Sequence, residues 1–445
     1  MDHLDLDTII AQITSSPNTR ILNDFLKNIQ PDTREVILAS TLSSGQDPLN
    51  ILDLRANSLG VLYILSARIS VHGAVPPPWQ VVDNFCQNFD QNQVRYAPER
   101  VILLGKNLSR LAAHYNNQIA AILPLRSLIQ RFVPDPSCLT ALHPQFLLLC
   151  VSSRRFADAL PILTHPITSI DSTDMHYTDN LVYHYTGGIA LAALKRWSAA
   201  EEFFDICVTA PGLVASAIQL EALKKMRLVQ LIAKGKTEPL PKYALPNLTR
   251  LFKNTPYNTF ANAYPSDVGT LRDIVKKDRQ VFVTDKNVGL INQAIDRAPR
   301  WALKRLIGTY VTLNLTDIAR QVKIDSVDHV REMLLNMIES NEISAQISAN
   351  GTVTFSDPPP TITKTQVDAL LRQVQVQSSL LTKLDLDVGK SREFLAKAVK
   401  LREDFGGGGG NTAEDFLLGS SMGAVVGGSG GEGGGVWVEE AGFTS

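Results

Sequence analysis

The sequence predicts a mostly α-helical chain: a long array of short helices, a small mixed module, then more helix. Three observations predict it. Residues 1–300 hold amphipathic stretches parted by brief polar breaks, with little period-two alternation. Residues 310–357 change character, with short alternating runs on either side of two helical stretches. Residues 361–404 return to helical spacing, and residues 405–445 belong to neither kind.

The array opens with helical patterns over 4–13, 20–29, 33–42 and 59–70. Pro31, Gly45, Pro48 and Pro76-Pro77-Pro78 punctuate them. Helix after helix over such a length predicts a solenoid spanning 1–298 rather than one bundle. An internal repeat supports it. Tyr185, Gly188 and Ala192 fall on one helix, Trp197, Ala200 and Phe204 on the next, with Pro211 after it. Small residues let two antiparallel helices approach and aromatics fill the gap between pairs, which resembles a tetratricopeptide unit. Phe156, Ala159 and Leu163 repeat the second half upstream, and a fainter echo begins near Ile119. A break near Ala298-Pro299 is expected to end the array.

Residues 299–357 follow. Tyr310 to Leu315 alternates as a short strand does. Thr316 is read as the cap of a helix, with Asp317 favouring its positive end. Ser326 is read as the cap of a second helix, on which Val330, Leu334, Met337 and Ile338 share a face. A hairpin closes the stretch, 343–347 against 352–355, turned at Asn350-Gly351. Strand, helix, helix and a two-stranded wing make a winged helix. Such modules read DNA or join proteins, and charge separates the two. The second helix offers Arg331 against Asp328, Glu332 and Glu339. A DNA reader must neutralise several phosphates with Lys or Arg, so protein assembly is the better reading.

Asp357-Pro358-Pro359-Pro360 ends the wing, since Pro cannot donate to a ladder. In the C-terminal helices of 361–404, Val367, Leu370, Val374, Leu381, Leu384 and Val388 take alternating three- and four-residue steps. Gln377 interrupts this heptad stripe, which seeks partner helices. Gly389 is expected to break the helix. At about 25 cal/mol per Å² the six side chains supply several kcal/mol when covered. Residues 405–445, rich in Gly and without Lys or Arg, are expected to be disordered. Val436-Trp437-Val438 is the one short docking candidate there.

The chain has 445 residues, 43 of them basic and 44 acidic. Near-zero net charge gives no support for nucleic acid or anionic membrane as the main partner. Four cysteines, Cys86, Cys138, Cys150 and Cys207, form no CxxC pair and read as reduced, packed thiols. No signal peptide is read in the first thirty residues, and no apolar run spans a bilayer. A soluble cytoplasmic and nuclear protein is expected.

Catalytic motifs are imitated rather than built. Gly235-Lys236-Thr237 resembles the end of a phosphate loop, but Gln230 stands where the loop needs Gly, with Leu231 after it. Gly419-Ser420-Ser421-Met422-Gly423 matches GxSxG inside the Gly-rich tail. Asp171, Asp174, His176, Asp179 and His184 lack a ligand spacing that converges, and His329 stands alone. No enzyme, cofactor or metal is expected.

Helical repeats leading into a winged helix that is not basic resemble the PCI-domain family. That family supplies the scaffold of the proteasome lid, the COP-nine signalosome and the translation initiation factor three complex. Finer segments resemble the signalosome's third-subunit family: Asn57-Ser58-Leu59-Gly60-Val61-Leu62, Tyr183-His184-Tyr185-Thr186-Gly187-Gly188, Leu220-Glu221-Ala222-Leu223-Lys224-Lys225, Leu240-Pro241-Lys242-Tyr243 and Asp285-Lys286-Asn287-Val288-Gly289-Leu290. Leu315-Thr316-Asp317-Ile318-Ala319 and Met337-Ile338-Glu339 continue the order. The resemblance implies a non-catalytic subunit between the first and eighth subunits, with C-terminal helices joining a common bundle. It also implies support for removing a ubiquitin-like modifier from cullins, by metalloprotease chemistry that another subunit holds. A proteasome-lid paralogue and a winged-helix DNA regulator are the alternatives. For assembly, the small sheet must have an open edge, placed at or near Thr352, Val353, Thr354 and Phe355.

Overall fold

A computed structural model describes residues 5–356 and 363–397. The chain divides between Asp357 and Pro358 into two units, so the winged module belongs with the array. The second unit contributes one long described helix, Lys364–Lys390.

The array is helical almost throughout. Its only strand pairing is a two-residue parallel contact of β1 (Cys138–Leu139) with β2 (Ser169–Ile170) among the described residues. Helices Leu6–Ser15, Thr19–Asn28, Pro31–Ala39 and Ser58–Ser70 answer the first four periodic stretches. Ser58–Ser70 is buried on nearly every face. Most of its buried polar groups have partners: Arg68 Nη1 pairs with Asp47 at 2.7 Å, and the Tyr63 hydroxyl donates to Asn23 Oδ1 at 3.0 Å, while Arg68 Nε has none. Gly60 lets this helix approach the first, since a Cβ there would stand 2.5 Å from Ile13.

The repeat has a physical signature in its turns. Helix Tyr177–Ala193 ends at Lys195 in the left-handed region (φ 58°), and Arg196 N–H donates to Leu191 C=O at 2.9 Å. Forty-one residues upstream, helix Leu142–Ser152 ends at Arg154 (φ 56°), and Arg155 N–H donates to Cys150 C=O at 2.8 Å. The same closing bond, with a left-handed residue other than Gly, recurs at Asn116, Lys286, Lys323 and Asn341. This is the Schellman termination, which satisfies carbonyls that the helix leaves free. Between helices Tyr177–Ala193 and Trp197–Thr209, Gly188 faces Phe204 so closely that a Cβ would lie 2.6 Å from the ring. The upstream copy is shorter: Phe156–Ala159 is a 3-10 turn and Leu160–Leu163 a single helical turn. Pro166 helps to end it, because a residue before Pro disfavours helical backbone.

The expected break at Ala298-Pro299 is not a break in the chain's helix. One helix, Val288–Ile307, runs through Pro299. Ile291, Ala294, Ile295 and Ala298 lie in the core of the array, whereas Leu303 lies in a second core that extends to Phe355. The change of core falls where the break was expected, and the backbone stays helical. Pro299 has no N–H to give to the carbonyl four residues back, so packing on both sides must hold the helix continuous.

Segments of the resemblance meet here. Lys224 on helix Ala217–Lys234 pairs with Asp285 at 2.9 Å, and Lys225 donates to Asn287 Oδ1 at 2.8 Å. Tyr257 joins both, donating to Asp285 at 2.9 Å and accepting from Asn287 Nδ2 at 2.8 Å. Gly235, in the phosphate-loop mimic, is the left-handed C-cap of Ala217–Lys234, and a Cβ there would meet Trp301 at 2.5 Å. The Trp301 indole donates to Ile232 C=O at 3.1 Å.

Replacing Lys195 by Gly removes the cost of a Cβ in the left-handed region. Lys195→Gly is expected to raise stability by about 1 kcal/mol in urea unfolding. A loss of stability would show that Lys195 contributes more through its side chain than its backbone costs.

Candidate subunit interface

The winged module is built on short, strongly patterned pieces. β3 (Thr312–Asn314) leads into helix Leu315–Val322, whose cap is Asn314, not Thr316: Asn314 Oδ1 accepts from Thr316 N–H at 3.1 Å. The strand thus gives way to helix at Leu315, earlier than the alternation suggested. Ser326 caps the second helix, Val327–Glu339, as its sequence indicates. Val330, Leu334 and Met337 are buried and Ile338 half-buried, with Met333 joining them. Asp328, Arg331, Glu332 and Glu339 are exposed on the same helix, so the surface a DNA groove would meet carries three carboxylates against one guanidinium.

β4 (Ser344–Ile347) and β5 (Thr352–Ser356) form the hairpin. Its loop is longer than a two-residue Asn-Gly turn. Ser348 N–H donates to Thr352 C=O at 2.8 Å, Gly351 N–H donates to Ser348 C=O at 3.0 Å, and Gly351 alone of the pair has positive φ (80°). This is the three-residue loop with a left-handed Gly at its end.

The strand order is β3-β5-β4, and this corrects the edge assignment. Thr352, Val353, Thr354 and Phe355 lie on the central strand. Thr352, Val353 and Thr354 face Asn314, Leu313 and Thr312 on one side, and Val353, Thr354 and Phe355 face Ile347, Gln346 and Ala345 on the other. Val353 and Phe355 are buried in the second core. A strand paired on both sides cannot accept a third, so the free edges belong to β3 and β4.

The register says which backbone groups are free. Antiparallel pairs alternate between bonded and non-bonded residues. Ser348 is bonded to Thr352, so Gln346 and Ser344 also bond to β5, and the N–H and C=O groups of Ala345 and Ile347 point away from the sheet. On β3, Phe355 N–H donates to Val311 C=O at 2.8 Å, which leaves Thr312 and Asn314 facing outward. Asn314 is already committed as a helix cap, with its carbonyl starting the helix ladder. β4 is therefore the longer free edge.

A charge cluster fixes the entry to β4. Arg297 Nη2 and Arg300 Nη1 each stand 3.1 Å from Glu342 Oε1, and Lys304 Nζ stands 3.2 Å from Oε2. Burial pushes the Glu342 carboxyl up, but Lys304, Arg297 and Arg300 more than offset it and hold the group below the usual range. Glu342 thereby ties the start of the wing to the helix shared by both cores.

The second candidate surface is the stripe on helix Lys364–Lys390. Thr363 caps it in a capping box with Gln366. The helix passes through Gly389 and ends one residue later. Val367, Leu370, Val374, Leu381, Leu384 and Val388 are all exposed among the described residues. Exposed apolar side chains repeated along one helix mark an interaction surface. The expectations for the Gly-rich tail, for Val436-Trp437-Val438 and for the GxSxG match lie outside the described residues.

Three of the remaining polar candidates are engaged in structural contacts. Asp174 pairs with Lys106 at 2.7 Å, Asp179 accepts from the His176 N–H at 2.9 Å, and His184 is buried with its Nδ1 3.0 Å from Asn180 C=O. Among the described residues no three His, Cys, Asp or Glu side chains stand where they could hold one ion. Burial pushes the thiols of Cys150 and Cys207 up to about 12. No described helix is long and apolar enough to cross a membrane.

A helical-repeat array sharing a helix with a winged module that has a free sheet edge is the architecture of a PCI-type subunit. Comparison with known proteins agrees. Residues 271–357 match the PCI domain, and residues 20–247 match the family described as COP9 signalosome complex subunit 3, N-terminal helical repeats. The chain is 31% identical to COP9 signalosome complex subunit 3 of Drosophila melanogaster over 348 residues, 73% of this chain and 78% of that protein. It is 29% identical to the Dictyostelium discoideum protein of that name over 398 residues, 86% of this chain and 93% of its relative. The chain belongs to the COP9 signalosome subunit 3 family.

Because the stripe is exposed, Leu381→Asp with Leu384→Asp is expected to change the isolated chain's stability by no more than about 0.5 kcal/mol. Thermal unfolding checks this, and a drop of several degrees would mean that the stripe already has a cover.

Proposed function

We propose that this chain is a non-catalytic scaffold subunit of a signalosome, supporting removal of the ubiquitin-like modifier from cullins of ubiquitin ligases. The observation that carries the reading is the free edge of β4, where Ala345 and Ile347 present unpaired backbone groups. A neighbour's strand satisfies those groups by adding to the sheet. The exposed stripe from Val367 to Val388 adds helix bundling as a second attachment. Family membership supports signalosome subunits as the partners; we take the first and eighth subunits as the neighbours and the cytoplasm and nucleus as the compartments. The chain binds no nucleic acid and no membrane in this role. Membership of the proteasome lid is the alternative within the same structural class, and the composition of the purified complex separates the two.

Two proline variants test the edge. The Ala345 N–H is not bonded to β5, so Ala345→Pro should leave the module folded while blocking strand addition. Gln346→Pro removes a ladder bond and should loosen the hairpin itself. Co-purification that survives Ala345→Pro would remove the edge from the mechanism.

The stripe has its own test. Leu381→Asp with Leu384→Asp should release the chain from its partners at unchanged far-UV helicity. Undiminished co-purification would reject the bundle role, and a salt-sensitive nanomolar affinity for one DNA sequence would favour the regulator reading instead.

A further inference from the structure

Three cations meet one carboxylate where the chain enters β4. Arg297, Arg300 and Lys304 surround Glu342, and their side chains are only 33%, 32% and 26% exposed. One carboxylate neutralises one of them, so the cluster keeps an excess of two positive charges. Arg297 Nε is buried with no hydrogen-bond partner, and Lys304 meets Glu342 Oε2 as an ion pair without hydrogen-bond geometry. Lys304 also lies over the Trp301 ring at 4.5 Å, which restrains it. Glu339, nearby in sequence at the end of the second helix, is exposed and forms no ion pair with the three among the described residues. Excess charge of one sign, partly withdrawn from water, favours the arrival of an opposite charge.

The position of the cluster gives it meaning. Glu342 precedes Ala345 by three residues, about 10 Å along an extended chain. A strand that adds to Ala345 and Ile347 brings one of its ends toward Glu342, where the three cations gather. An antiparallel strand brings its C-terminal end, a parallel one its N-terminal end.

We infer that the partner segment that adds to β4 carries one or two carboxylate side chains at the end lying beside Glu342, received by Arg297, Arg300 and Lys304. This rests on the strand-addition reading above and deepens it by stating the partner's chemistry. Unpaired backbone groups accept a strand of any sequence, whereas a half-buried excess of positive charge favours an acidic one. The cluster therefore supplies register and partner choice, and it draws the partner in over a distance that salt shortens.

The test uses the full-length chain and the other subunits of the complex, co-expressed and purified without it. Association rates are measured at about 50 and about 300 mM salt. Arg297→Gln with Arg300→Gln is expected to slow association about tenfold at low salt and to flatten its salt dependence. Arg297→Lys with Arg300→Lys keeps the charge and should associate at the wild-type rate. A cluster that only braces the fold would slow association equally at both salt concentrations. Unchanged rates in the Gln pair, a Gln pair slowed with its salt dependence intact, or a Lys pair as slow as the Gln pair each overturns the acidic partner while leaving the edge intact. So does salt-sensitive capture of duplex DNA by the cluster with subunit association untouched. Normal assembly by Ala345→Pro overturns the edge reading itself, and the acidic partner with it.

Discussion

Helix Val288–Ile307 carries the structure because it belongs to two cores at once. Its first half packs with the array through Ile291, Ala294, Ile295 and Ala298, and its second half packs with the winged module through Leu303. Lys224, Lys225, Asp285 and Asn287 lock its start, and Trp301 locks its middle against helix Ala217–Lys234. Glu342 locks the wing to its far half. A free sheet edge is useful in assembly only if it points in a fixed direction. This one helix, with polar ties at each stage, gives the β4 edge that direction.

Residues that looked reactive in isolation are used up by the fold: Gly235 terminates a helix, Asp179 closes a capping box, and buried thiols are held protonated. Among the described residues a strand edge, an apolar stripe and a surplus of positive charge beside the edge stay available. In the proposed function each is completed by another chain, which supplies strand, helix or carboxylate.

Much of this was legible. Caps such as Ser326 and the spacing of Val330, Leu334 and Met337 carry their own physics, since hydrogen bonds to a cap and burial of one helix face are local. The Gly188 contact with Phe204 was legible too, because only a residue without a side chain lets two helices approach so closely. Other features were not. Asn116, Arg154, Lys195, Lys286, Lys323 and Asn341 end helices in the left-handed region, and none is the Gly that would announce it. Pro299 reads as a stop in any local view, yet packing on two sides keeps its helix whole. Asn314 displaced Thr316 as a cap because β3 ends sooner than its alternation does.

The sequence by itself determined the order of elements, the faces that are buried and the charge that makes the second helix of the winged module unsuited to phosphates. Those follow from periodicity and composition, which act within a few residues. Only the tertiary structure decided that β5 sits between β3 and β4, and so moved the open edge from Thr352–Phe355 to Ala345 and Ile347. Only it brought Arg297, Arg300 and Lys304 to Glu342. Strand order and charge convergence join residues some forty apart in the chain, and no local spacing encodes which of them will meet.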